Sequence, residues 1–282
     1  AHAGLILRIA ALPLYSGFVQ CGMTGGMAAV RKGFLVILCA VVLFAMPQLL
    51  SVALGMSPDG LSWSSARRDA TGLSPSPEIH KEAIIQVFGA RTWGWRGNFA
   101  IHTWISMKRE NAANYERYEV IGWRARNGGN ALVSSRGAPD NHWFGNKPEI
   151  LAQYEGPGAE TLINRIEKVI EEYPHKYEYK VWPGPNSNSF IAHIGREIPD
   201  LELDLPPTAI GKDFISGSNM LGSAVSGRGM QFSLLGLGGF AVSPVEGFEL
   251  HLLGLTLGFD LDDGALKVPG FGRLEMFDRQ AP

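Results

Sequence analysis

The stretch WPGPNSNSF, residues 182–190, interrupts the chain and then begins a helix. Its two prolines and its glycine break regular structure, and Asn186 is a residue type preferred at the N-cap. The apolar residues that follow recur with helical spacing, which predicts a helix over residues 187–198 with one buried face. The residues expected on that face are Phe190, Ile191, Ile194 and Ile198. Ser187 should then lie in the first turn, where free backbone N–H groups favour negative charge.

Strand-like segments come before this helix. RGNFAIHTWISMK, residues 96–108, alternates so that His102 and Trp104 share one face and Thr103 lies on the other. YERYEVIGWR, residues 115–124, follows after a polar turn, which predicts an antiparallel hairpin. Further expected elements are strands over 82–90 and 131–136, an extended piece over 177–182, and a helix over 156–174 that ends at Pro174.

This order of elements predicts a pocket that could carry chemistry. A histidine on one strand, a carboxylate on the next strand and a hydroxyl at a helix start are the parts of a nucleophile–base–orienter set. The catalytic candidates are Ser187 as nucleophile, His102 as base and Glu119 as the residue that orients the imidazole. The binding candidates are Asn186 and Asn188, which flank the serine, and Trp93 and Trp95, which lie in an arginine-rich loop.

Each candidate also has a structural explanation that the residues leave open. Asn186 can be a simple helix cap, Ser187 a solvated first-turn residue, and His102 a half-buried histidine with satisfied hydrogen bonds. The loop ARTWGWRG, residues 90–97, can be an ordered aromatic loop with arginines over tryptophan faces. Two functions therefore stand beside each other: a serine-variant hydrolase or acyltransferase acting on an amide or ester, and a non-catalytic binding or scaffold module that retains the cleft.

Five strings carry a family resemblance: ARTWGWRGNFAIHTWISMK, RYEVIGW, WFGNKPEIL, WPGPNSNSF and DLPPTAIGKDF. Over roughly residues 60–275 the chain resembles the bacterial family catalogued as domain of unknown function 3750. That resemblance implies a membrane segment and an exported domain, and it supplies no activity. The element order and the string NSNSF are similar to circularly permuted papain-like folds of the NlpC and lecithin–retinol acyltransferase types, with serine in place of cysteine. The expected fold class is α+β.

An uncharged apolar run follows Arg31 and Lys32 and extends from Gly33 to Pro58. It holds roughly 20 apolar residues, the length that crosses a bilayer. Basic residues before a span keep that end in the cytoplasm, so we expect a single-pass protein of the bacterial inner membrane with its domain on the periplasmic side. A cleaved signal peptide is the alternative, because Ser51–Ala53 offers the small residues of a cleavage site.

The sequence predicts four regions: an N-terminal extension over 1–30, a transmembrane anchor over 31–57, a linker or surface-hugging segment over 58–80, and an exported domain over 81–275. The glycine-rich part of that domain predicts strands, and a phase slip at Leu252–Leu253 predicts a β-bulge. These strands can complete the core, or they can present an apolar sheet to a membrane.

Composition narrows the function classes. The net charge of −2 argues against nucleic-acid binding by bulk charge. Cys21 and Cys39 both belong to the N-terminal apolar region, so the later domain has no cysteine nucleophile and no disulfide. The histidines show no metal-ligand spacing, and no cofactor is expected. The expected partners are the lipid bilayer, through the N-terminal helix, and an unknown envelope ligand.

Overall fold

A computed structural model describes residues 23–55, 62–217 and 219–276. Most of the predicted extension, up to residue 22, and residues 58–61 of the predicted linker lie outside the described residues. The chain divides into two units, of which the first ends at Ala40 and consists, as described, of helix α1 (Met23–Ala40). The second unit begins with a π-helical turn (Val41–Ala45) and helix α2 (Met46–Ala53).

Among the described residues, one helix, Arg31–Ala53, is long and apolar enough to cross a membrane. The π-helical turn comes directly before Pro47, which lies in the first turn of α2. Proline lacks an N–H group and its ring crowds the carbonyl one turn earlier, so the helix must widen or bend near this point. The helix therefore continues past Pro47, with a π turn before it.

The first sheet is antiparallel, with the strand order β4-β3-β2-β1-β5. Its strands are β1 (Ile84–Arg91), β2 (Ile101–Lys108), β3 (Tyr115–Val120), β4 (Leu132–Gly137) and β5 (Glu149–Glu155). The predicted hairpin of β2 and β3 is confirmed, with Ile105 opposite Tyr118. Strand β5 was not among the predicted elements, and it pairs with β1 through a register shift between Val87 and Phe88.

Helices cover one face of this sheet. They are α4 (Ala159–Glu172) and α5 (Ser187–Glu197), which pack together and against the sheet, while the short helix α3 (Gly122–Arg126) follows β3. The four residues predicted on the buried face of α5 are all buried, with Phe190 fully inaccessible. Strand alternation is clear in β2, because Ile101 and Ile105 join this main core while Trp104 joins a small cluster on the opposite face.

A second antiparallel sheet has the strand order β12-β11-β10-β9-β8-β7-β6. Its strands are β6 (Leu221–Gly222), β7 (Met230–Ser233), β8 (Gly238–Ser243), β9 (Gly247–Leu252), β10 (Leu255–Asp260), β11 (Ala265–Val268) and β12 (Gly272–Glu275). The predicted bulge is wrong, because Leu253 and Gly254 form a two-residue turn between β9 and β10. Both have positive φ, of 53° and 80°, which is the backbone of a tight hairpin turn.

The two faces of the second sheet have the opposite polarity from those of an ordinary half-buried sheet. Its inward side chains are polar or small, and they include Gln231, Ser233, Glu249, His251, Thr256, Asp260 and Lys267. Its outward side chains are apolar, and we call them the apolar face. Two of its cross-strand rows are Leu221, Phe232, Phe240, Leu250 and Leu257, and Val242, Phe248, Phe259, Leu266 and Leu274. The interpretation in which these apolar residues complete the core is therefore wrong.

A buried ion cluster joins the second sheet to the segment after α5. Glu249 Oε1 accepts hydrogen bonds from Lys212 Nζ and Lys267 Nζ, each at 2.8 Å. Lys267 also contacts Asp204 Oδ1 at 2.6 Å. Lys212, Glu249 and Lys267 are almost completely inaccessible, so their charges are compensated by one another rather than by water.

The described part of the predicted linker lies against the domain. Thr71 Oγ1 donates to the backbone oxygen of Asp140 at 2.8 Å, and Leu73 N donates to Asp140 Oδ2 at 2.6 Å. Ser74 Oγ donates to Gln86 Oε1 at 2.7 Å. Of the two predicted forms of this segment, the structure has the surface-hugging one from residue 62 onward.

Candidate functional site

A cavity of about 540 Å³ opens at the end of the first sheet, where β2 begins and β3 ends. The start of α5 and the helix α3 form two of its sides. Its lining includes the predicted residues His102 and Ser187, together with Trp93, Asn186 and Asn188. Cavities of this size accept drug-sized ligands, so this is the candidate site.

Local hydrogen bonds explain why α5 begins where it does. Asn186 Oδ1 accepts from Ser189 N at 3.0 Å, and Ser189 Oγ accepts from Asn186 N at 2.6 Å, which is a reciprocal capping box. The Asn186 amide also donates to the carbonyls of Val181 and Ile210. This side chain is fully engaged with the protein's own backbone, as the capping explanation of Asn186 requires.

Asn188 attaches the helix start to β2. Its Nδ2 donates to Ile101 O at 3.1 Å, and its Oδ1 accepts from Thr103 Oγ1 at 3.0 Å. Thr103 Oγ1 lies 3.1 Å from Ser187 O as well. Asn188 therefore positions the first turn of α5, and its polar atoms are engaged in that role.

His102 is held by a carboxylate on the next strand, as predicted. His102 Nε2 lies 2.8 Å from Glu119 Oε2, and Arg117 Nη2 donates to the same oxygen at 2.9 Å. Trp143 stacks on the imidazole at 3.7 Å between ring centroids, with 11° between the planes. All three charged or titratable side chains are buried. Arg117 was missed from the sequence, although it is two residues from Glu119 on the same strand face.

The electrostatics define the tautomer of His102. Burial acts to raise the pKa of Glu119, but the His102 hydrogen bond and the Arg117 charge outweigh it and lower the pKa to about 2. Burial lowers the pKa of His102, against the opposing effect of Glu119. At neutral pH an ionised Glu119 can only accept, so Nε2 of a neutral His102 carries the proton. Nδ1 is then an unprotonated base, and it has no hydrogen-bond partner among the described residues.

His102 and Ser187 share the cavity, but no hydrogen bond joins them in the described structure. The face of β2 that contacts α5 is the one that carries Thr103. His102 lies on the other face with Trp104, so the two candidates approach the cavity around the end of the strand. Ser187 Oγ also makes no hydrogen bond to another described residue, and its backbone N–H has no acceptor in the described structure.

Aromatic side chains form one wall of the cavity. Trp143 packs against Trp123 at 5.9 Å and edge-on against Phe144 at 5.0 Å, and Trp63 stacks on Phe144 at 6.0 Å. We call Trp63, Trp123, Trp143 and Phe144 the aromatic wall. Sequence reasoning missed its members, although WFGNKPEIL is one of the strings that carried the family resemblance.

Two arginines, Arg96 and Arg126, also line the cavity, and neither forms a salt bridge with a described acidic residue. Both lie near Tyr179, since their charges oppose the raised pKa that burial gives this phenol. Gly122 makes room for the Tyr179 ring, because a Cβ there would lie 2.6 Å from Tyr179 Cε1. No aspartate or glutamate is among the described lining residues, so the charged side chains of this lining, Arg96 and Arg126, are both basic.

The two predicted tryptophans have different positions. Trp93 lines the cavity, whereas Trp95 is not among its described lining residues. Trp95 packs against Phe99 at 5.5 Å, and Arg96 lies over its ring at 5.7 Å. This is the arrangement that the structural explanation of the loop expects, an arginine over a tryptophan face.

Comparison with known families gives a match to part of the chain. Residues 82–214 match the DUF3750 family. Its description is a protein of unknown function, so the family assigns no activity. The resemblance to this family is confirmed over these residues, which is a shorter range than the sequence suggested. No curated protein and no solved structure matches the chain.

The DUF3750 match contains nearly the whole candidate site. It covers the five strands of the first sheet and helices α3 to α5, and every described lining residue except Trp63 belongs to it. The second sheet begins after the match ends at Phe214. Among the described residues, no group of three or more histidine, cysteine or acidic side chains could hold a metal ion.

Proposed function

We propose that this protein binds an amphipathic anion in the cavity, next to a membrane in which its apolar N-terminal helix is anchored. The ligand has an apolar or aromatic body and carries a carboxylate or phosphate group. The observation that carries this proposal is the lining, which combines the aromatic wall with Arg96 and Arg126 and contains no described acidic residue. Apolar walls with a few convergent polar groups are the usual form of small-molecule sites.

The arginines and the helix start give this ligand two places for its charge. Arg126 and Arg96 can each pair with an oxyanion, and a guanidinium does so through two parallel hydrogen bonds. The amides of Ser187 and Asn188 at the start of α5 have no acceptor in the described structure, so they can also receive an anionic oxygen. The rings of the aromatic wall would cover the ligand's apolar body.

Replacing Arg126 by glutamine should weaken binding of such an anion about tenfold, because a hydrogen bond to a charged group is lost. The probe is biphenyl-4-carboxylate, measured by saturation-transfer NMR on the full chain in nanodiscs, with empty nanodiscs as background. Arg124→Gln is the matched control, since Arg124 lies exposed in the same short helix and outside the described cavity lining.

The amine of the same shape, biphenyl-4-methylamine, tests the sign of the charge. The amine should bind more weakly than the carboxylate, since its positive charge is repelled by those of Arg96 and Arg126. Equal binding of the amine and the carboxylate, or equal affinities of the Arg126→Gln and Arg124→Gln variants for the carboxylate, would refute the proposal.

An acyl hydrolase or acyltransferase with the element order of a permuted papain-like fold is the second candidate, and the free Nδ1 of His102 favours it. In that reaction Ser187 Oγ would attack the carbonyl carbon of an ester or amide while His102 Nδ1 accepts its proton and Glu119 orients the ring. The C–O or C–N bond would then break, and His102 would pass the proton to the leaving alcohol or amine. Water or an acceptor alcohol would release the acyl group from Ser187 by the same steps in reverse. The first candidate is preferred because His102 and Ser187 approach the cavity from opposite faces of β2, so catalysis would require one of them to move.

A cysteine at position 187 separates the two candidates. In a full chain with Cys21→Ser and Cys39→Ser, the thiol of Ser187→Cys should react with iodoacetamide in mildly acidic buffer faster than a free thiol of pKa ~8.5 if His102 is its partner. Adding His102→Ala should then slow the reaction. Ser64→Cys supplies the exposed reference thiol. A thiol at 187 that reacts like the reference, with or without His102, would eliminate the catalytic candidate.

A further inference from the structure

The apolar face of the second sheet is unusual in size and in uniformity. Within the described strands β6–β12, none of the outward side chains is charged, as alternation and the burial of the intervening residues define them. Seven strands measure roughly 30 Å across in the hydrogen-bond direction. Soluble monomers rarely expose an apolar patch that large, and a patch of this kind marks an interaction surface.

Highly exposed apolar residues occur on several strands of the sheet, so the patch extends across the whole face. Leu221 on β6, Met230 on β7 and Phe248 on β9 are 62%, 50% and 47% accessible, and Leu274 on β12 is 45% accessible. Meanwhile the charges of the sheet, including Glu249, are directed inward. Covering this outer face with an apolar surface would stabilise the sheet, because apolar area would be removed from water.

The position of the N-terminal helix indicates what contacts the apolar face. Its segment Val41–Ala45 contacts β10, and this segment belongs to the helix that is long and apolar enough to span a membrane. The membrane-length helix thus contacts, through this segment, the same sheet that carries the apolar face. A protein partner would be expected to form about one hydrogen bond per 100–200 Å² of interface, and the side chains of this face offer no donor or acceptor.

We propose that the apolar face of the second sheet docks on the lipid bilayer, so that the domain lies flat on the membrane beside its own anchor. The backbone N–H and C=O groups of the inner strands are already paired within the sheet, so contact with acyl chains leaves them satisfied. Since no outward residue of the described strands is basic, docking depends on apolar burial and does not need anionic lipid.

Environment-sensitive labels on the full chain test this docking. In a Cys21→Ser and Cys39→Ser background, Leu250→Cys and Leu274→Cys place a bimane label on the apolar face. Lys168→Cys places the label on the exposed side of α4 as a matched control. Each protein is reconstituted at one copy per nanodisc of zwitterionic phosphatidylcholine, and near-ultraviolet circular dichroism checks that each variant is folded.

Lipids with a doxyl group high on the acyl chain should quench the two apolar-face labels by about half or more, as expected at a depth of about 5–10 Å. The Lys168 label should be unaffected by doxyl lipid and open to aqueous iodide. Iodide access to Leu250 and Leu274 equal to that at Lys168 would overturn the proposal. Shielding that appears only with two copies in one disc would also overturn it, and would identify a second copy of the chain as the cover. Leu250 and Leu274 lie on different strands, so if one of the two variants does not fold, the other still tests the proposal.

Discussion

Replacing Phe190 by alanine is expected to lower the free energy of unfolding by about 3–5 kcal/mol, the range for a buried aromatic residue. The Phe190 side chain is fully inaccessible at the centre of the main core. Its ring packs edge-on against Tyr173 at 5.0 Å, so its removal leaves a cavity beside Tyr173. The measurement is urea unfolding of the full chain in a mild detergent, followed by near-ultraviolet circular dichroism.

Glu171→Ala is the control for this substitution. Glu171 lies exposed near the end of α4, as its helical position predicts, and its truncation should change stability by less than about 0.5 kcal/mol. A loss well under about 1 kcal/mol for Phe190→Ala would mean that the ring is not part of the core. The same variant should also disturb the cavity, because α5 carries Ser187 and Asn188 at its start.

Helices α4 and α5 and strands β1 to β4 could be predicted because each has a strong local signal, whereas helix α3 occupies residues that were partly predicted as the end of the strand over 115–124. Helix α5 has a cap at Asn186 and apolar residues at helical spacing, and alternation in β2 separated His102 and Trp104 from Thr103. The pairing of His102 with Glu119 also followed, since the polar side chains of adjacent strands meet at the sheet end. Strand β5 has a mixed burial pattern with no strict alternation, so periodicity did not reveal it.

The strands of the second sheet were predicted, but its buried face could not be, because alternation does not say which of the two faces points inward. Residues such as Phe248 and Leu250 are apolar and Glu249 is charged, so a soluble core would bury the former. In the structure Glu249 is inside, because Lys212 and Lys267 compensate its charge there. Lys212 is separated from Glu249 by 37 residues, and no local signal connects them.

The aromatic wall was missed for a related reason. Trp143 and Phe144 follow β4 in a loop without period, and only the tertiary fold brings them against Trp123 and His102. The hairpin turn at Leu253 was read as a bulge because leucine is unusual at positive φ. In both places the decisive information is three-dimensional packing rather than local propensity.

Replacing Glu249 by glutamine is expected to cost about 3–5 kcal/mol of stability, since removing one partner of a buried ion pair leaves the other charge uncompensated. Here two lysines, Lys212 and Lys267, share the one carboxylate oxygen. Glutamine keeps the shape of the side chain, so the loss measures charge rather than volume. Urea unfolding measures it, and Glu275→Gln on the exposed end of β12 is the matched control, expected within about 0.5 kcal/mol of the parent.

The pH dependence of the free energy of unfolding, measured for the parent and for Glu249→Gln, tests whether the charge of Glu249 is the cause of the loss. Burial acts to raise the pKa of Glu249, but the charges of Lys212 and Lys267 outweigh it and lower the pKa from 4.5 to about 2. A carboxyl group with a depressed folded-state pKa contributes stability that is complete above its unfolded pKa and is lost as pH falls through the folded value. The stability gap between the parent and Glu249→Gln should therefore be constant above pH 5 and narrow as pH falls from about 4.5 toward 2. If the difference in stability between the parent and Glu249→Gln did not depend on pH over that window, the Glu249 carboxylate would not be the group that holds Lys212 against the second sheet. Lys212 lies near the end of the segment that matches DUF3750.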